Sequence, residues 1–316
     1  MEPTYANLTY DEALKVVIFA PGNEPLIIQM LELLLPEKKI KSLVLKDREQ
    51  HGLAISDKNS TFDCYCTGDD GECFIVEMQN SPQKSFADRM LCYSTFPLRE
   101  QMELKIQQRR DAAKRGETVD TMDYSLMPVY VVSFVNFILP HESEETLEGG
   151  LLSRYELRNS HSGELMTRAL NFAYLELGRL KWGKDEAKKC KTRLEQFAWS
   201  LKYMHTVDKV PENFEDEFIR KLYERSAFAN MDVATQHKYE SIMRTEIDII
   251  AQKAWAREEG KAEGLAEGEA KGLAEGEAKG REEGRNEVAR NLKEMGLPVD
   301  QIVKATGLSR EMIAAL

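Results

Sequence analysis

Residues 62–79 read Phe62-Asp63-Cys64-Tyr65-Cys66-Thr67-Gly68-Asp69-Asp70-Gly71-Glu72-Cys73-Phe74-Ile75-Val76-Glu77-Met78-Gln79. The two ends are rich in aromatic and β-branched residues, and the middle is dense in turn residues. That pattern predicts a β-hairpin. A turn centred on Asp70 sets Asp63 directly opposite Glu77. Opposed side chains have Cβ atoms about 4.5–5.5 Å apart, and like charges there destabilise a sheet. Strand alternation puts Gln79 on the same face as Glu77, while Phe74, Val76 and Met78 turn to the core. Register decides the matter, because a one-residue slip changes the pairing. The alternative is that Asp63 and Glu77 are simply solvent-facing residues of an exposed hairpin.

Two carboxylates forced together in an apolar hairpin call for a compensating cation. A hard divalent ion, Mg²⁺ or Mn²⁺, takes oxygen ligands from one or two carboxylates and keeps positions for water and phosphate. Asp63 and Glu77 are the expected metal ligands. Such an ion polarises a phosphoryl oxygen and supplies hydroxide near neutral pH. Gln79, the third residue of the expected catalytic set, can orient water or hold a phosphate. Being neutral, it cannot balance developing charge, so a cation is expected from elsewhere, with Lys15 and Lys84 as candidates.

Working outward, residues 11–35 predict a helix broken at Pro21-Gly22 and stopped by Pro36. Ser42–Leu45 is a short strand. Ser81 is the expected cap of a helix from Lys84 to about Arg115, with a kink at Pro97. Its basic residues, among them Arg89, Arg99, Lys105 and Arg109, either track a DNA backbone or form a solvated face interleaved with acids. Gly116 to Asp123 is a loop, and the apolar run Pro128–Leu139 is a strand buried on both faces. The order is helix, strand, hairpin, helix, buried strand, which makes an α/β core over 1–141.

Region 142–255 is expected to hold a second hairpin, Ser153–Asn159 with Leu165–Leu177, and then helices over 184–203, 213–231 and 234–255. GLAEGEAK follows at 264–271 and repeats at 272–279, with glycine at every fourth position from 260 to 284. Glycine costs a helix about 1 kcal/mol relative to alanine. The tract 256–285 is therefore a solvated helix or an extended spacer, or else packs closely along its glycines. Residues 286–316 form a small helical tail with the look of a helix-turn-helix. Only Arg310 makes its last helix basic, so self-association or docking fits it as well. The repeat and terminal helices suggest a homodimer.

The chain has 316 residues, 42% of them hydrophobic, enough for a real core. No run reaches the roughly 18 apolar residues that a membrane helix needs, and no signal peptide stands at the start. Five sparse cysteines fit a reduced cytoplasm. Cys64 and Cys66 share one face and Cys73 the other, which argues against zinc. The five histidines (His51, His141, His161, His205 and His237) are scattered and are assigned to surface or loops. A net charge of −11 argues against nucleic acid as partner. Acidic metal sites and the Glu-rich tract soften that argument.

Phe62-Asp63, the turn and Ile75-Val76-Glu77-Met78-Gln79 resemble the Rpn family of recombination-promoting nucleases, also described as PD-(D/E)XK family transposases. Phe86, Arg89, Leu91, Tyr93 and Gln101 fall at that family's helix spacing. Pro128-Val129-Tyr130 with Asn136-Phe137, Tyr155-Glu156-Leu157-Arg158 and Gly307-Leu308-Ser309 resemble its later segments. The resemblance implies an αβββαβ restriction-endonuclease-like core and metal-dependent DNA cleavage linked to recombination or mobile elements. It also implies Asp63 and Glu77 as metal ligands, with Gln79 in place of the usual lysine. Phe62 stands where the PD signature has proline, and Leu14–Ala20 departs from the family's first-helix segment. The rival expectation is an inactive nuclease-like protein that serves as a cytoplasmic interaction module.

Overall fold

The computed structural model of the chain describes residues 3–46, 49–50, 60–117, 123–141, 143 and 147–316. Two helices come first, α1 (Asp11–Val17) and α2 (Glu24–Leu34), separated at Pro21-Gly22 as the sequence predicts. Strand β1 (Leu43–Leu45) follows, then a small ribbon of β2 (Glu49–Gln50) and β3 (Ser60–Thr61). The decisive hairpin is β4 (Cys64–Gly68) and β5 (Cys73–Gln79). Its turn closes through the Gly71 N–H, which donates to the Gly68 carbonyl, and Gly71 takes the left-handed φ of 84° that favours glycine.

Helix α3 (Phe86–Lys114) runs through Pro97 without ending there. Its N-cap is Ser85, held at φ 58°, and not the expected Ser81. The turn after Pro82 takes up the residues between the strand and the helix. Strand β6 (Val129–Val135) is buried along its whole length. It ends short of Leu139, because residues 136–141 peel away from the sheet as a loop. Of the loop expected at 116–123, residues 118–122 lie outside the described residues.

Strands β7 (Leu147–Glu148), β8 (Leu152–Glu156) and β9 (Leu170–Glu176) complete a seven-stranded sheet in the order β1-β4-β5-β6-β9-β8-β7. The pairs β5–β6 and β6–β9 are parallel, and the others are antiparallel. The expected second hairpin is therefore part of the first sheet, and a domain boundary at 141 does not hold. Strand β9 alternates Phe172, Tyr174 and Glu176 with Ala173 and Leu175, so it has two faces to bury and does so beside β6.

One sheet face carries Cys64, Cys66, Phe74, Val76, Val132 and Phe134. It packs on α1, α2, α4 (Arg193–Tyr203) and α5 (Glu217–Ser226). The other face carries Phe62, Tyr65, Cys73, Ile75, Val131 and Tyr174, and meets Phe86 and Met90 of α3. Cys64 and Cys66 thus do lie opposite to Cys73. Helix α6 (Val233–Glu294) is continuous through the glycine repeat, so residues 256–285 are helix and not extended spacer. Alanine, glutamate and lysine favour that state. Pairs such as Glu277–Arg281, at 2.8 Å, add a little on the exposed surface.

The chain divides into two compact units, 1–243 and 244–316. The second has its own small core of Ala289, Ile302, Leu308 and Ile313, built from the end of α6 with α7 (Val299–Thr306) and α8 (Arg310–Ala315). Gly307 ends α7 in the left-handed region at φ 71°. Among the described residues, no helix is long and apolar enough to cross a membrane.

Candidate active site

The hairpin register is the one the turn predicts. Cys64 pairs with Val76 and Tyr65 with Ile75. One step further along the strands, Asp63 and Glu77 meet. Asp63 stands in a bend just ahead of β4. Its N–H donates to Glu77 Oε1 at 3.3 Å, and its Oδ2 accepts the Met78 N–H at 2.7 Å. Both acids are buried, Asp63 at 4% and Glu77 at 6% exposure, so water screens neither well. Glu77 and Gln79 alternate with Ile75 and so belong to the α3 side of the sheet.

A lysine completes the pair. Lys15 of α1 places Nζ 3.0 Å from Asp63 Oδ1 and 2.6 Å from Glu12 Oε1. The contact crosses 48 residues of sequence and joins the helix layer to the hairpin. Burial opposes the charge on Lys15, but the Asp63 and Glu12 carboxylates outweigh it and hold its pKa above the ordinary lysine value. Burial pushes Asp63 up to about 6 against the pull of Lys15. Burial, reinforced by the charge of Asp63, pushes Glu77 well above the usual carboxylate range. The two acids thus resist ionising together, with Lys15 paired to Asp63 and the charge of Arg89 drawing on Glu77.

Gln79 is gripped by Arg89 of α3, whose second guanidinium nitrogen donates to Gln83 Oε1. Since Gln79 accepts through its carbonyl oxygen, its amide N–H groups remain as donors. The Arg89 guanidinium also lies over the Tyr93 and Phe86 rings, 5.7 and 5.9 Å from their centroids. Arg89 is therefore a neighbour of the site, a placement the sequence did not foresee.

The other expected cations are placed differently. Lys84 is exposed in the turn ahead of α3 and is a partner of neither carboxylate. Arg99 pairs with Glu103 at 3.3 Å, and Lys105 with Asp123 at 2.6 Å. Arg109 is exposed. Among the described residues, no three His, Cys, Asp or Glu side chains gather as a group able to hold a metal ion. Two carboxylate donors are what the site itself provides.

A further buried acid, Glu176 at the end of β9, was not foreseen. It accepts from the Leu139 N–H at 2.7 Å and from Arg179 Nε at 2.9 Å, and it meets His141 Nε2. His141 lies in a loop, as expected, with its side chain only 4% exposed. No spacing in the sequence links residues 35 positions apart. His51 lies outside the described residues.

The sequence model of a family described as PD-(D/E)XK nuclease family transposase matches residues 9–256. The match spans α1, the whole sheet and the first part of α6. No curated protein matches the chain, and no solved structure does.

Proposed function

Because the chain belongs to the PD-(D/E)XK nuclease family transposases, we propose that it is a divalent-metal-dependent endonuclease that hydrolyses DNA phosphodiester bonds. The run α1, three antiparallel strands, α3 and β6 is read as that group's αβββαβ core. Recombination or mobile-element movement in the cytoplasm is the proposed setting. The observation that carries the reading is the buried pair Asp63 and Glu77, joined across the end of the hairpin, with Lys15 paired to Asp63 alone of the two.

That donor set suits Mg²⁺ or Mn²⁺, which prefer hard carboxylate oxygens. Asp63 and Glu77 would hold the ion. When bound, it supplies Lewis acidity to the phosphodiester and makes water a better nucleophile near neutral pH. The chain's own residues do the rest. Lys15 keeps Asp63 ionised and brings the positive charge that Gln79 lacks. Arg89 fixes the Gln79 amide, so its N–H groups can hold a phosphate oxygen or orient water. A point charge and a fixed donor at the reacting phosphate lower the barrier by preorganisation.

A second reading rests on one contact. The 3.0 Å ion pair between Lys15 and Asp63 already gives Asp63 a partner. An inactive nuclease-like interaction module would keep that pair and need no metal. Two measurements separate the readings. In a plasmid-nicking assay with Mg²⁺ or Mn²⁺, the enzyme converts supercoiled DNA and Glu77→Ala does not. Calorimetric titration with Mn²⁺ shows binding that Asp63→Ala loses. Wild-type protein that neither nicks DNA nor binds the ion establishes the inactive module.

A further inference from the structure

The sheet face that bears Glu77 and Gln79 does not end at α3. It runs on past β6 to β9 and β8, where Tyr155 pairs with Phe172 and Ser153 with Tyr174. Helix α3 covers the β4–β6 side of this face, and next to its first turn lies a cavity of about 630 Å³. Its walls are Phe86, Phe137, Tyr155, Phe172 and Tyr174, with Gln83 at the edge. The rings form a linked set. Phe86 meets Tyr174 and Phe137 at 5.6 and 5.9 Å, and Tyr174 meets Tyr155 at 5.6 Å. Tyr155 is 39% exposed, so its ring is partly open to solvent.

The shelf is held firmly. Glu176 and Arg179 clamp the loop that carries Phe137, through the N–H and the carbonyl of Leu139. The Tyr155 hydroxyl meets His141 Nδ1 at 3.2 Å, which joins the outer ring to the same clamp. It is also continuous with the candidate active site. Gln83 lines the cavity and accepts from Arg89, and Arg89 grips Gln79.

We infer that this aromatic shelf stacks unpaired nucleobases of the DNA strand being cut, an assignment that rests on the nuclease reading of the neighbouring carboxylates. Flat rings on a rigid sheet bind bases through their π-faces, whatever the sequence. The Gln83, Ser85 and Asp88 side chains at the border can meet base edges. Arg89, which bridges Gln83 of the shelf and Gln79 of the site, can meet a backbone phosphate, and the exposed Lys84 lies beside Gln83 in sequence. An apolar peptide would use the same area but would gain nothing from that border or from the adjoining phosphodiester site. The protein would therefore prefer DNA with single-stranded stretches over an unbroken duplex.

The test uses the full chain in chelator, where binding is measured without cleavage. Fluorescence anisotropy with a short single-stranded oligonucleotide should show Tyr155→Leu and Phe172→Leu each weakening affinity about tenfold. Tyr155→Phe should retain affinity, and duplex binding should change much less. Unchanged affinity in both leucine variants overturns the inference, and it is the result expected if the shelf receives a peptide. Should a leucine variant lose its fold by circular dichroism, the wild type decides instead. A 2-aminopurine oligonucleotide is quenched on binding if its base stacks on the shelf, and undiminished fluorescence overturns the inference. Plasmid nicking is scored separately. Wild type that nicks while the leucine variants keep their affinity removes the shelf assignment alone. Loss of affinity in those variants, with no nicking by wild type, removes the nuclease reading alone.

Discussion

Glu77 sits where it costs stability. Buried, and beside Asp63, it is harder to ionise than in water. Replacing Glu77 with Gln keeps the shape and removes the repulsion. The melting temperature at pH 7.5 should rise by about 2 °C or more while nicking is lost. A fall in melting temperature would mean that the pair is not repulsive. The pH dependence follows from the same two residues. In the unfolded chain their pKa values are about 3.9 and 4.3, and both are higher in the fold. Between those limits the folded protein holds more protons than the unfolded chain, so this contribution to stability falls as pH rises. For Asp63 the loss runs from about pH 4 to about pH 6, and Asp63→Asn should flatten that part of the stability profile. Mg²⁺ or Mn²⁺ binding only the folded state should raise the melting temperature at pH 7.5 and much less at pH 5. Equal shifts at both pH values would argue against ligation by these acids. The opposition of Asp63 and Glu77 was legible from the turn residues alone, because a hairpin's register follows from its turn. Lys15 was one of two candidate cations, but that it and not Lys84 reaches Asp63, and that Arg89 reaches Gln79, was not legible, because it depends on where two helices pack.

Among the elements, the loop after β6 and the short helical turn after β9 are locked by a glycine. A Cβ on Gly178 would lie 2.4 Å from the Phe137 carbonyl carbon, and backbone cannot yield as a side chain end can. Gly178→Ala should therefore destabilise the protein by about 1–3 kcal/mol in chemical denaturation. It should also displace Phe137 from the aromatic shelf. An unchanged denaturation midpoint would show that the close approach is not needed. The glycines of α6 behave in the opposite way. At Gly264, Gly268, Gly272 and Gly276 an added Cβ meets nothing within 4 Å. Replacing these four with Ala should raise helix content by circular dichroism and leave nicking intact, each contributing about 1 kcal/mol to the helix. A loss of nicking would point instead to a role for close packing along the glycines. The helical state of this tract could not be read from the repeat, because glycine and its Ala, Glu and Lys neighbours pull in opposite directions.

For the whole molecule, the compact unit 1–243 contains the seven-stranded sheet, both hydrophobic faces and the candidate active site. A chain cut after residue 256, the end of the family match, should retain metal-dependent nicking. If the repeat and terminal helices mediate self-association, light scattering should find the full chain dimeric and the shortened chain monomeric. Two monomers would remove the dimer. The sequence by itself determined what local rules govern: the hairpin and its register, the break between α1 and α2, the doubly buried β6, and the faces of its three strand cysteines. These follow from turn residues, proline and alternation, which act over a few positions. Only the tertiary structure decided that β8 and β9 extend the first sheet, that Lys15 answers Asp63, and that Glu176 anchors the loop at His141. Those outcomes depend on which surfaces meet after long stretches of chain have closed, and no short-range pattern encodes that choice.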